Sequence, residues 1–165
     1  MKQLLENYTG YNHWANENVC NFISSNEQLL DMEIKSSFNT IRKTLYHIRD
    51  AETIWYKRLN GESPNKWPNE KFTGSIKEFI RQFLANSLLL NDYVKSKSYP
   101  ELLEYIDYTN MSSKKCKDMI ANCILHCVNH STHHRGQIYT MLRQAGITNL
   151  TSIDYITFIR KFVEQ

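Results

Sequence analysis

Apolar residues recur with the spacing of an amphipathic α-helix along four long stretches of the chain. The first runs from about Lys2 to Ser24 and places Leu4, Tyr8, Tyr11, Ala15, Val19 and Phe22 on one stripe. The second runs from about Asn39 to Asn60 and aligns Ile41, Leu45, Ile48, Trp55 and Leu59. Ser36 or Ser37 can cap its start, and Gly61 stands where a helix should stop. The third runs from about Ser75 to Lys97, and Ser75 followed by Glu78 has capping-box spacing. The fourth spans about Lys117 to Ala145 and meets Gly146, and a shorter helix is predicted over Ser152 to Phe162. Residues 61–74 hold Pro64, Trp67 and Pro68 and read as a surface loop. Residues 102–115 alternate weakly and suggest a small β-hairpin ahead of the fourth helix.

Four such helices in 165 residues pack most economically as an all-α four-helix bundle, one domain over residues 1–165 with a short extra C-terminal helix. Five glycines and three prolines are too few to interrupt it. A hydrophobic share of 41% beside 22% charged residues reads as globular rather than disordered. The formal charge of +3 is small, and Lys and Arg interleave with Asp and Glu, so nucleic acid is not an expected partner. No apolar run approaches the roughly 20 residues of a membrane span. The opening MKQLLENYTGYNHW lacks the layout of a signal peptide, so the expected location is the cytoplasm. Cys20, Cys116, Cys123 and Cys127 form neither a disulfide framework nor a C-x-x-C pair and are expected as free packing residues.

The chemistry concentrates in histidine. Four of six histidines fall between positions 126 and 134: His126, His130, His133 and His134. His130 and His134 are four residues apart, so a helix stacks them on one face where each can offer a nitrogen to one metal ion. The predicted buried stripe of this helix runs Ile120, Cys123, Cys127, Ile138, Met141 and Ala145, and projection places both imidazoles within it. Buried imidazoles need polar partners, and a metal supplies them. His126 with His130 is a competing pair at the same spacing, with His126 and His133 on the shoulder of the stripe. Cys127 lies seven residues from His134, about 10 Å along the axis, too far to share its ion. A third ligand must come from another helix, and both His47 and His13 qualify. The fourth-helix segment has no carboxylate inside its H-x-x-x-H, which excludes the H-E-x-x-H peptidase pattern.

The string Asn129-His130-Ser131-Thr132-His133-His134-Arg135-Gly136-Gln137 resembles the N-H-x-x-x-H-R-G-Q signature of the DinB/YfiT-like family. Leu45-Tyr46-His47-Ile48-Arg49-Asp50-Ala51-Glu52 is similar to that family's second-helix motif, and Tyr11-Asn12-His13-Trp14-Ala15-Asn16 to its first-helix Y-N-x-W-A-N pattern. Thr151-Ser152-Ile153-Asp154-Tyr155 fits the start of its last helix. The resemblance implies an up-down-down-up bundle, commonly a homodimer, and a divalent metal, zinc or nickel, held by His47, His130 and His134. It selects His47 over His13.

Three functions follow as expectations. The first is a metal-dependent transferase acting on a small thiol, as in the wider superfamily. The second is a hydrolase using metal-activated water. The third is a metal-stabilised dimer that binds a small molecule without chemistry. Arg135 and Gln137 are expected to support the site or to face a neighbouring helix, and Gly136 to admit close approach of one. Asp50 is expected as an ordinary surface carboxylate more than as an orienter of a ligand. Trp14, Phe22, Tyr139 and Leu142 exceed one narrow stripe and suggest a symmetric two-chain interface.

Overall fold

The structure, a computed structural model, describes residues 1–164 and, of Glu70 and Lys71, the backbone only. The chain runs through α1 (Lys2–Ser24), α2 (Ile41–Leu59), α3 (Ile76–Ser96), a single turn α4 (Tyr99–Leu102), β1 (Tyr105–Thr109), β2 (Lys115–Met119), α5 (Ile120–Gln144) and α6 (Tyr155–Phe162). The two strands form an antiparallel hairpin with Tyr105 opposite Met119 and Thr109 opposite Lys115. The predicted hairpin is therefore present. It takes residues 117–119 from the predicted fourth helix, which begins at Ile120.

Caps set the boundaries. Thr40, rather than Ser36 or Ser37, caps α2: its side chain accepts the Lys43 backbone N–H, worth about 1 kcal/mol. Ser75 caps α3 by accepting the Glu78 N–H, while the Glu78 carboxylate turns outward to Arg81 and Gln82. The reciprocal capping box occurs instead at α4, between Ser98 and Glu101. Gly61 and Gly146 end α2 and α5 at φ of +83° and +87°, the left-handed conformation that glycine adopts without strain.

Two apolar clusters fix the helix directions. One joins Val19 and Ile23 late in α1, Ile41 and Leu45 early in α2, Phe79 and Phe83 early in α3, and Ile138 and Met141 late in α5. The other joins Leu5 of early α1, Leu59 of late α2, Leu90 and Val94 of late α3, and Ile120 and Ile124 of early α5. Hence α1 and α5 run one way and α2 and α3 the other, the up-down-down-up order. Helix α1 packs against α3 and α5, and α2 against α5 and α3. Because α2 and α3 are parallel, residues 60–75 must travel back along the bundle, which carries Trp67 past the side of α2.

Helix α6 covers α1. Trp14 packs on Phe158 and Phe162, and Tyr8 and Tyr11 meet Tyr155 edge-on. Gly10 makes room for this contact: a Cβ there would lie 3.3 Å from the Phe158 ring. Gly136, expected to admit a neighbour, is exposed, and a Cβ added there would meet no described atom within 4 Å outside its own helix turn. Phe22 and Tyr139 are half-buried against the first cluster and Leu142 is fully inside it. The apolar surplus that suggested a dimer is thus largely covered within one chain. No helix among the described residues is long and apolar enough to cross a membrane.

Candidate metal centre

The inner face of α5 is Ile124, Val128, Ser131, Arg135 and Ile138, all buried. The predicted stripe is buried at Ile120, Cys123, Cys127, Ile138 and Met141, and His134 with it; Ser131 and Arg135, which it did not include, are buried beside it, and His130 is half-buried on the side toward α2. On α2 the inner face includes Thr44, Ile48 and Glu52, and His47 flanks it in the same way. The antiparallel packing of α2 and α5 brings these flanks together. His47, His130 and His134 each offer a ring nitrogen, all within 4.8 Å of one another. The Nε2 atoms of His47 and His130 are 3.0 Å apart. Two nitrogens bound at ~2.0–2.1 Å to a tetrahedral ion would be about 3.3 Å apart, so the donors already stand near that spacing.

The protonation states suit a cation. Burial, then the neighbouring His134, pushes His47 down to about 4. Burial and the four surrounding histidines push His130 down to about 3. Burial also lowers His134, against the opposing effect of its hydrogen bond to Gln137. All three imidazoles are neutral near pH 7, the form that binds metal. His134 Nδ1 donates to Gln137 Oε1 at 2.8 Å, which leaves Nε2 as its free lone pair. Gln137 is held in turn, since its Nε2 donates to Ser37 Oγ at 3.0 Å and lies 3.1 Å from His133 Nε2. The enclosed His130 Nδ1 has no hydrogen-bond partner among the described residues.

Two connecting segments wall the site. Phe38 stands over His47 and His134, with ring centroids 4.4 and 5.6 Å away. It is placed there by Asn39, whose φ of +58° turns the chain into the Thr40 cap. Trp67 of the crossover approaches His47 from another side at 5.6 Å. Between them opens a cleft of about 400 Å³, lined by Lys43, Tyr46 and Asp50 as well as His47. Asp50 is buried, not a surface carboxylate. Its Oδ1 accepts from Arg49 at 2.7 Å, and its Oδ2 from the Asn69 N–H at 3.0 Å, which ties the crossover to α2.

The other sequence candidates lie elsewhere. His13 is half-buried on α1, outside the three-histidine group. His126 is exposed and packs on Trp55, and His133 is exposed beside Gln137. Cys127 is buried in the lower core, where loss of solvent pushes its thiol well above the usual range; burial raises Cys123 to about 11. Neither is a ready thiolate.

Beside the site lies a polar layer that sequence reasoning did not resolve. Glu52, with no exposed surface, accepts from Asn12 at 2.7 Å, Asn16 at 2.9 Å, Ser131 at 2.8 Å and Ser87 at 2.5 Å. Arg135 donates to the carbonyl oxygens of the same two asparagines, at 2.6 and 2.7 Å, and to Thr132 at 2.8 Å. The asparagines bridge a buried carboxylate to a buried guanidinium and join α1, α2, α3 and α5. A signal was present: Asn12 and Asn16 share the four-residue spacing of the histidines and fall on the buried face of α1.

Fold and site define an up-down-down-up helical bundle with three histidines positioned to hold a metal ion. The chain belongs to the DinB family, whose model matches residues 1–161. It is 28% identical over 144 residues to Protein DinB of Bacillus subtilis (strain 168), covering 82% of this chain and 83% of that one. A DinB-like protein from Bacillus cereus, solved as a crystal structure, shares the fold. Its TM-score is 0.64 at 17% identity, with 91% of this chain and 93% of that chain covered.

Proposed function

We propose that this DinB-family chain binds one divalent ion, zinc or nickel, through His47, His130 and His134, and is a metal-dependent transferase for a small thiol. The observation that carries the reading is the convergence of three neutral imidazole nitrogens within 4.8 Å beside an open cleft of about 400 Å³. Among the described residues no His, Cys, Asp or Glu joins them as a fourth donor. Three protein ligands with an open position are the pattern of a catalytic site, and an ion there lowers the pKa of a thiol or water that reaches it.

The chain's own residues define the rest. Gln137 fixes the His134 tautomer. Phe38 and Trp67 restrict water at the histidines and offer apolar surface to an electrophile. Asp50, the carboxylate on the cleft wall, is engaged by Arg49 and Asn69 and is poorly placed as a general base. The nucleophile, thiol or water, would then owe its deprotonation to the metal rather than to a protein base. Free cysteines fit the reducing cytoplasm we assign to it. We also propose a homodimer: Leu4 of α1 and Leu88 and Leu89 of α3 are large exposed apolar residues on neighbouring helices. Light scattering should give about twice 19.6 kDa, and a monomer at micromolar concentration would refute the dimer.

The test of the reaction is conjugation of small thiols to a chromogenic electrophile by zinc- or nickel-loaded protein. Acceleration that is absent in His130→Ala is expected. Equal rates for the two proteins would refute it, and ester hydrolysis without thiol would support the hydrolase.

A further inference from the structure

Arg49 is buried, with 6% of its side chain exposed, and only part of its donor edge is used. Its Nε and Nη2 both donate to Asp50 Oδ1, at 3.0 and 2.7 Å. Its Nη1 donates to no described residue, and unlike the Nε of Arg58 and of Arg135 it is not sealed from solvent. The rings of Phe79, Phe72 and Tyr46 stand 5.0, 5.3 and 6.0 Å from its Cζ. Ring faces attract the charge and hold the guanidinium in place, but they offer no lone pair to its free N–H bonds. A nearly buried donor in that condition gains from an acceptor.

Arg49 lines a cavity of about 440 Å³ between α2, α3 and the crossover, together with Thr53, Pro68, Phe72, Gln82 and Asn86. The size falls in the range of small-molecule pockets, roughly 300–1,000 Å³. Among these residues only Arg49 is charged. The cavity shares no lining residue with the histidine cleft, whose wall holds Asp50, so the Arg49–Asp50 pair stands between the two. The other donors on the wall are committed or hidden. The Thr53 hydroxyl donates to the Arg49 carbonyl at 2.8 Å and Gln82 Nε2 to Glu78 Oε1 at 2.7 Å, while Asn86 Nδ2 is enclosed. Recognition therefore falls to Arg49. We propose that this cavity is a binding site for a small organic carboxylate, an oxygen of which accepts from Arg49 Nη1 while the apolar body rests on Phe72 and Pro68. A monoanion suits a guanidinium already shared with Asp50, whereas a phosphate dianion would bring more charge than one free nitrogen can answer.

The test is a titration of the full, metal-free chain with phenylacetate, followed in ¹H–¹⁵N spectra. The reporters are the Arg49 Nε–H signal, identified by its loss in Arg49→Lys, and the Asn86 side-chain amide. Phenylacetate should move both saturably. Replacing the pair together, Arg49→Gln with Asp50→Asn, removes the cation without stranding its carboxylate. Read at Asn86, binding should weaken about tenfold or more, the loss of one charge-assisted hydrogen bond. Asn86→Asp, which adds a competing carboxylate to the cavity wall, should weaken binding several-fold when read at Arg49, and decides the matter if the double variant fails to fold. Neutral 2-phenylethanol should bind about tenfold less tightly. His130→Ala should leave phenylacetate binding intact, so failure of the metal reading would not affect this result. A still Arg49 signal, equal affinity in the double variant or in Asn86→Asp, or equal or tighter binding of 2-phenylethanol or phenethylamine would overturn the proposal.

Discussion

The same helices build two polar regions that behave in opposite ways. In the buried layer, Glu52 and Arg135 are wrapped by Asn12, Asn16, Ser87, Ser131 and Thr132, and the Arg135 Nε alone has no acceptor among the described residues. On the adjoining seam, His47, His130 and His134 turn their nitrogens toward one another, and one 3.0 Å contact serves two of them. Adjacent residues of one motif divide between these tasks: Ser131 and Arg135 face inward where His130 and His134 face α2. Polar groups that satisfy each other hold the bundle together. Polar groups that converge with lone pairs unused are arranged for something else, and three neutral imidazoles are arranged for a cation.

The sharpest way to break this division is to remove one member of each region. His130→Ala should abolish stoichiometric zinc or nickel binding while shifting the stability of the metal-free protein by only about 1 kcal/mol, since the half-buried ring gives up one hydrogen bond and its contacts with the neighbouring histidine rings. His126→Ala and His133→Ala should retain the metal. Elemental analysis and urea titration measure both quantities, and a full complement of metal in His47→Ala would reopen His13. Arg135→Ala should do the reverse in kind. It strands the buried Glu52 carboxylate among dipoles oriented for a pair, and a cost of about 3–5 kcal/mol is expected. If Arg135→Ala is as stable as wild type, the layer is not what fastens the helices.

Much of this was legible in the sequence because helical periodicity is a local property. The four long helices, the Gly61 and Gly146 stops and the His130–His134 spacing all follow from patterns within a few turns. The predicted α5 stripe is buried, but it leaves out Ser131 and Arg135 because they are polar, and a hydrophobicity pattern assigns such residues to the surface. Only distant partners explain their burial: Asn16 on α1, 119 positions from Arg135, and Glu52 on α2, 79 positions from Ser131. Asp50 failed for the same reason. The choice between His47 and His13 rested on family resemblance; the antiparallel packing of α2 on α5 is what groups His47 with the pair.

A smaller effect tests whether the seam borrows support from its surroundings. Gln137→Leu removes the acceptor that orients His134 and the link to Ser37. Loss of such a partner to a ligating histidine typically costs ~10–100-fold in metal affinity. Competition with a chelator should therefore show tighter binding by wild type than by Gln137→Leu, with little change in overall stability because Gln137 is only half-buried. Unchanged affinity would mean that packing by Phe38 alone orients the ring.

Protons provide the mildest probe of the same contrast. In the folded chain His47 is held at about 4 and His130 at about 3, and His134 is lowered as well, whereas unfolded histidines titrate near ~6.5. Between those values the unfolded chain binds more protons than the folded one, so stability declines as pH falls from about 6.5 toward 4 and is level above it. The decline should be modest, because His47 and His130 are half-exposed and solvent screens their mutual repulsion. Comparing urea midpoints at pH 7 and pH 5 keeps the measurement above the range of ordinary carboxylates, and so isolates the histidines. Replacing His130 by Ala should reduce the pH response of the metal-free protein, the remainder coming from His47, His134 and His13, which burial also lowers, while added zinc should steepen it, since bound metal must be displaced before the imidazoles protonate. A metal-free wild type with the same midpoint at both pH values would show that the three rings are freely hydrated, and the seam would then be surface rather than site.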